Sequence, residues 1–535
     1  MTTHATIARI FDDLRDDGGP GFAVAVLREG VVVHRECAGL ADLAAVAPIT
    51  PRTRFHIVSC SKTFTAAAVL ILAARGRLDL EDCLSAHLAD LPEALFATAP
   101  IRIRHLLGMT SGIRDALEVL RLAGAWRSTP TRVAEIHELI RANPTPQFRP
   151  GSRYVYTNAN YVLLEALIER LAGQPADAFR AAEIYTPLGL ADTVARYDDD
   201  AGTARLARPY VPTASGYLPA THLLGIAGDP IVSSLDDLTA WLGAWRQGRI
   251  GEIAVFKDMT APPRPPGEAV THYGLGMALR AYRGQRVWCH SGSQPGYKSH
   301  LAYLPDLDIA IVILSNREDA TPKTRLPAIV DALAPDDLDP MPGGAEAPEG
   351  EAWPADGLYF DADGDELVWL ERAGGRIEGE TLGDPFTAYP DVAGGFRDRD
   401  DYGVTQPVSL RPATAGLWHL TLGGYGADYR RLPPYRPDAA AAAACIGVYE
   451  DAGLDARITV RRDDTGRLTA RYGDEEPMDF PMQPLAPDLY LVRPTAPGIA
   501  FKHLFAFRRN DGEIGGVEVT MERLKQQWLG RRRGG

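Results

Sequence analysis

The chain has 535 residues, 45% hydrophobic and 24% charged, and its 56 basic and 70 acidic side chains leave a net charge of −14. That length exceeds one core and predicts several domains, and the negative balance disfavours nucleic acid and anionic membrane as partners. The first residues carry acid where a secretory signal needs base, the five cysteines are scattered and odd in number, and no histidine spacing fits a ligand set. A reducing, cytoplasmic setting is therefore expected, with no metal, no cofactor and no membrane span.

In chain order, FAVAVLREGVVVHRECAG (22–39) reads as two strands around a turn at Arg28-Glu29-Gly30. From Thr63 an Ala- and Leu-rich run without Pro or Gly predicts a buried helix ending near Arg75-Gly76. Ser59 and Lys62 fall in its first turn, three residues apart, so that the amine reaches the hydroxyl. A lysine desolvated there, in the positive field of a helix N-terminus, is expected to give up its proton more easily, which is one way to activate a serine. Further on, RPGSRYVYTNANYVLLEALIERL places Tyr156 and Asn158 just before an amphipathic helix, where a phenol can relay a proton. In VWCHSGSQPGY, His290-Ser291-Gly292 lies on a strand; the glycine allows substrate close to backbone, and the Ser293 N–H is expected to join that of Ser59 as an oxyanion donor. Strand patterns at both ends of residues 1–335, with helices between, predict one antiparallel sheet flanked by helices.

Composition then shifts. Residues 336–353 and 435–444 read as linkers, the first rich in Pro, Gly and acid, the second Pro- and Ala-rich. The segments 354–434 and 445–535 hold short alternating strands with Gly turns. Gly357-Leu-Tyr and Gly447-Val-Tyr begin two similar units, with Gly375 and Gly383 answered by Gly466 and Gly473 at a nearly constant offset. This predicts a duplicated all-β unit, closed into a barrel so that no edge is exposed.

Three motifs now stand in order: S-x-x-K (Ser59, Lys62), Y-x-N (Tyr156, Asn158), and H-x-G (His290, Gly292) in the slot of K-T-G. With IRHLLGMTSGI (103–113) and YLPDLDIAIVILSN (303–316), the chain resembles the serine β-lactamase and penicillin-binding-protein superfamily, in its class C-like branch, over roughly residues 5 to 333. The resemblance implies a multidomain α/β and β protein: a β-lactamase-like catalytic domain, then two lipocalin-like antiparallel β-barrels. It also implies Ser59 as nucleophile, Lys62 and Tyr156 sharing the proton work, His290 assisting, and Asn158, Gly292 and Ser293 at the substrate. A histidine in place of the K-T-G lysine removes a permanent cation, which disfavours substrates with a free carboxylate there and favours esters, amides or N-terminal peptide units.

The two barrels extend the resemblance to D-stereospecific aminopeptidases. Those are cytoplasmic homodimers that release N-terminal D-residues such as D-Ala from peptides, amides and esters, and a loop of the last barrel helps select the free amine. Two candidate loops are visible: GDEEPMDFPM (473–482), with Asp474, Glu475, Glu476 and Asp479, and VRPTAPG (492–498). The competing readings are a broad esterase or amidase without amine selection, and a penicillin-recognising binding protein that acylates and stalls.

Overall fold

The computed structural model describes residues 3–15, 18–124, 133–195, 205–220, 231–261, 272–340, 353–361, 363, 366–383, 385–391, 394–398, 408–422, 425–473, 478–493 and 502–532. Its first part is built on a six-stranded antiparallel sheet. The strands are β1 (Phe22–Arg28), β2 (Val31–Ala38), β3 (Ala278–Tyr282), β4 (Gln285–Gln294), β5 (Tyr297–Leu304) and β6 (Ile309–Ser315). They lie in the order β3-β4-β5-β6-β1-β2, so the two ends of this part meet where β1 pairs β6, from Phe22↔Ser315 to Arg28↔Ile309.

Both faces of the sheet are covered, which is why β1 is apolar from Phe22 to Leu27. Phe22, Val24 and Val26 pack with Ile7, Phe11 and Leu326 on one face. Ala23, Ala25 and Leu27 join the large cluster on the other. That cluster centres on helix α1 (Ser61–Ala74), buried on nearly all sides. Phe64 stacks on Trp241 at 4.1 Å, and the Trp241 indole donates to Thr63 Oγ1 at 3.2 Å. Gly76, at φ 67°, supplies the left-handed residue just beyond its end. Helices α2 (Ala116–Leu122) and α3 (Asn158–Ala172) complete the wall that faces the cleft described below, and among the described residues no helix is long and apolar enough to cross a membrane.

The C-terminal segments form two closed eight-stranded antiparallel barrels, as expected, running from Gly357–Asp361 to Tyr425–Arg431 and from Gly447–Asp451 to Gln527–Arg531. The repeat seen in the sequence reappears in how each barrel closes. Tyr359 pairs Arg431 and donates from its hydroxyl to Ala355 O at 2.8 Å; Tyr449 pairs Arg531 and donates to Cys445 O at 2.8 Å. The three parts are packed together. Val119 and Leu122 of α2 enter the core of the second barrel. Leu367 and Leu382 of the first barrel pack on Leu485, Leu489 and Leu504 of the second.

Candidate active site

Ser59 does not lie in α1 itself. It occupies a single 3-10 turn, Val58–Cys60, that runs straight into the helix. Val58 precedes it at φ 48°, a left-handed conformation that costs a β-branched residue on the order of 1–3 kcal/mol. The turn is held from below: Cys60 Sγ donates to His290 O at 3.2 Å and Ser299 Oγ to Ile57 O at 2.7 Å. Gly292 of β4 lies against the same turn. A Cβ there would collide with Ile57 O and Ser299 Oγ, so the glycine is needed for the strand to approach the turn, a more immediate requirement than room for a substrate.

Lys62, fully buried in the first turn of α1, sends its amine to Ser59 Oγ at 3.2 Å and to Asn158 Oδ1 at 3.0 Å. It lies 5.2 Å from the centre of the Tyr156 ring and 5.4 Å from that of Tyr161. Asn158 opens α3, and its N–H donates to Asp115 Oδ2 at 2.6 Å. Asp115 also caps α2, accepting from Leu117 N and Glu118 N. This buried carboxylate, which sequence reasoning missed, fixes the starts of both helices that border the site.

His290 faces the same centre from β4. The carbonyl of Ser291 can only accept, so the 2.8 Å contact puts the proton on His290 Nδ1, and Nε2 accepts from the Tyr273 hydroxyl at 2.9 Å. Burial, and then the Lys62 charge, push His290 down to about 3. The K-T-G slot thus holds a neutral imidazole. Ser293 lies beyond Ala278↔Cys289, the last pair between β3 and β4, on an edge that β3 leaves uncovered. The alternation of an antiparallel ladder closed by Gln294↔Tyr297 turns the Ser293 N–H toward that edge.

Ser59, Tyr156, Asn158, His290 and Ser293 line one cleft of about 300 Å³, with Tyr154, Tyr273, Arg280 and Lys323. Glu522 and Arg523 line it too, and they come from the second barrel. Between strands Glu513–Thr520 and Gln527–Arg531, Met521 N donates to Leu524 O at 2.6 Å, closing a tight turn with Glu522 and Arg523 at its tip. Met521 and Leu524 are anchored in the barrel core. Arg523 sits 4.9 Å from the Tyr156 ring centre. Burial pulls its guanidinium down, but the carboxylates of Glu522, Asp115 and Glu118 outweigh that and hold it above its ordinary value.

A loop of the last barrel therefore does reach the cleft, but by a segment the sequence reading passed over. Its signal was an adjacent acid and base between two apolar residues, Met521-Glu522-Arg523-Leu524, in a gap between strands. Of the residues singled out there, Asp474, Glu475 and Glu476 lie outside the described residues, as do 494–498 of the Pro-rich stretch. Asp479 is not part of the cleft lining; it is on strand Met478–Ala486, where Arg461 and Arg471 each hold its carboxylate, at 2.7 and 2.6 Å.

The buried histidines carry a prediction. His300, 2.8 Å from Ser291 Oγ, and His503, 2.7 Å from the Tyr472 hydroxyl, are like His290 pushed down to about 3, chiefly by burial. Each is depressed from about 6.5, so its stabilising contribution is complete above that pH and is lost as pH falls toward 3. The slope is about 1.4 kcal/mol per pH unit for each. Glu118, which burial pushes up to about 7, runs the other way, contributing below about 4.5 and losing that as pH rises through 7. Three groups against one give a thermal midpoint that drops steadily between pH 6 and 4.5; a midpoint flat over that interval in melts by circular dichroism would contradict the neutral assignments.

An antiparallel sheet between helices, with a serine, lysine, tyrosine and neutral histidine converging below it, defines a serine β-lactamase-type protein. The chain belongs to the Beta-lactamase family, whose model matches residues 7–334. It is 32% identical over 303 residues to a D-aminopeptidase of Brucella ovis, an alignment covering 56% of this chain and 57% of that relative. The chain thus spans a little over half the length of the curated relatives it matches. Among solved structures, D-amino acid amidase from Ochrobactrum anthropi SV3, complexed with L-phenylalanine amide, is 25% identical at a TM-score of 0.52, covering 62% of this chain and 99% of that one. SurE with D-Leu, 21% identical at a TM-score of 0.54, covers 99% of each chain and shares the fold.

Proposed function

We propose that the protein is a serine hydrolase working through an acyl-enzyme, and that it releases N-terminal D-residues, D-Ala among them, from short peptides, amides or esters. The observation that carries the reading is the Lys62 amine within reach of both Ser59 Oγ and Asn158 Oδ1, beside Tyr156, in a cleft capped by Glu522. Ser59 Oγ attacks the scissile carbonyl, and its proton passes to the Lys62–Tyr156 pair, which delivers it to the leaving amine. The N–H groups of Ser59 and Ser293 bind the oxyanion. Water then attacks the acyl-enzyme, and the same pair moves its proton. His290 contributes as a neutral acceptor that fixes the Tyr273 hydroxyl, and it adds no charge for a substrate carboxylate.

Glu522 is the carboxylate that the second barrel brings to the cleft, and in this reading it pairs with the substrate ammonium. The likeness to D-aminopeptidases and to D-amino acid amidase supports the substrate class. The cytoplasmic setting and homodimeric state belong to the same reading, the first supported also by five free cysteines. The test compares D-Ala, L-Ala and N-acetyl-D-Ala p-nitroanilides. The free D-Ala substrate is expected to exceed its acetylated form by about tenfold or more in kcat/KM, since one charge-assisted contact is worth about 1.5–3 kcal/mol. Glu522→Gln is expected to bring the two near parity. Wild-type hydrolysis of the acetylated compound at the rate of the free one would leave a broad esterase or amidase instead.

A further inference from the structure

Among the described residues, none from the first barrel lines the cleft. That barrel nevertheless supplies the carboxylate on which the other two parts are tied. Glu366, the first residue of strand Glu366–Ala373, is buried with a side chain 6% exposed. It meets two cations from different parts of the molecule. Arg153, from the segment leading into Tyr154 and Tyr156, pairs with Oε1 and lies 4.3 Å over the Tyr425 ring. Lys525, two residues after Arg523, sets its amine 3.0 Å from Oε1 and 3.3 Å from Oε2. Both cations are nearly as buried as the acid, at 12% and 8% exposure.

Each arm ends at the cleft. Lys525 N donates to Gln147 Oε1 at 2.7 Å, and Gln147 Nε2 donates to Arg523 O at 3.3 Å, so the turn carrying Glu522 and Arg523 is gripped from both sides. The first barrel also shapes that turn directly. A Cβ at Gly383 would collide with Glu522 Cγ, so the glycine leaves the space in which the Glu522 side chain lies. Adding a buried ion triad to the apolar contacts between the parts is a poor way to gain stability, because burying ions is costly; it is a good way to fix one relative placement, because any other leaves a buried charge unpaired.

We infer that Glu366 is a positioning residue: through Lys525 it seats the Met521–Gln526 turn over the cleft, through Arg153 it registers that turn against Tyr156, and by this residue the first barrel governs substrate selection. The kind of substrate selected rests on the function proposed above; the seating of the turn does not.

The test uses the full chain with Glu366→Gln, Glu366→Asp and Gly383→Ala. One readout is independent of catalysis: tryptic cleavage after Arg523 and Lys525, mapped by mass spectrometry. Glu366→Gln is expected to speed cutting there by about tenfold or more, because cleavage tracks the opening of the turn, with Glu366→Asp in between. The other readout is the split of constants on free D-Ala p-nitroanilide. Glu366→Gln is expected to raise KM by about tenfold with kcat within about twofold, the signature of lost binding and intact chemistry. Gly383→Ala, which crowds Glu522 and leaves the ion triad alone, is expected to reproduce the rise in KM without faster cutting. Should Glu366→Gln fail to fold, the aspartate and Gly383 variants carry the same two readouts. Unchanged cutting in the Glu366 variants overturns the proposal, as does a loss confined to kcat and thermal stability. If the wild type proves indifferent to acetylation, the aminopeptidase reading falls while the cleavage result still decides the role of Glu366.

Discussion

Ser59→Ala is expected to abolish turnover, with a loss on the order of 10⁴- to 10⁶-fold, the range seen when a hydrolase loses its nucleophile. No neighbouring hydroxyl or thiol can take over. Ser61 is fully buried, turned away into the helix packing, and the Cys60 thiol is committed downward, 3.2 Å from His290 O and 3.3 Å from Ser299 Oγ. The strained Val58 fixes the turn so that Ser59, and neither Cys60 nor Ser61, lines the cleft. Steady-state hydrolysis of D-Ala p-nitroanilide measures the loss, and mass spectrometry of quenched enzyme shows whether an acyl adduct still forms. A fully active Ser59→Ala protein beside a dead Ser61→Ala protein would move the chemistry to the other serine.

The second large effect concerns protons. Lys62→Met and Tyr156→Phe are each expected to slow turnover by about 10²-fold or more, the usual weight of a positioned acid or base. The two losses should not multiply, because the amine and the phenol serve one path and removing either breaks it. Stability should move differently from activity. Lys62 is a fully buried amine, so a methionine of similar length removes a desolvated polar group and leaves Asn158 Oδ1 short of one donor, two effects that oppose each other. A double mutant that shows the full product of the single losses, measured on D-Ala p-nitroanilide, would mean two separate proton routes.

Much of this site is legible along the chain because its chemistry is local. Ser59 and Lys62 share one turn and its helix; Tyr156 and Asn158 share the entry to another; His290 to Ser293 share a strand. Short-range geometry decides what such residues can reach. The sheet was legible for a related reason, since the apolar runs at 22–27 and 309–314 mark strands buried on both faces, and such strands lie side by side in the middle of a sheet. Asp115, Tyr273 and Glu522 were not visible. Each acts through a partner far off in sequence, Asp115 on Asn158, Tyr273 on His290, and Glu522 on a cleft built by another part of the molecule. The acidic run at 474–476 drew attention by charge density alone, whereas the turn in the cleft holds one acid and one base whose significance comes from where the barrel docks. Gly292 shows the same limit on a smaller scale: its motif was readable, but the packing against Ile57 and Ser299 that requires a glycine was not.

The pairing of β1 with β6 bears on how the chain comes off the ribosome. Phe22 and Ser315 are partners separated by roughly 290 residues, and at a synthesis rate of about 5–20 residues per second the first waits some 15 to 60 s for the second to exist. Throughout that interval Phe-Ala-Val-Ala-Val-Leu has one hairpin partner, β2, and an open edge where β6 will dock. An apolar strand with an unfilled edge invites intermolecular pairing, so the nascent chain needs a holding chaperone more than its finished, edge-free barrels do. The barrels, being closed and local, can fold as they emerge, and by then the sheet has received its last strand.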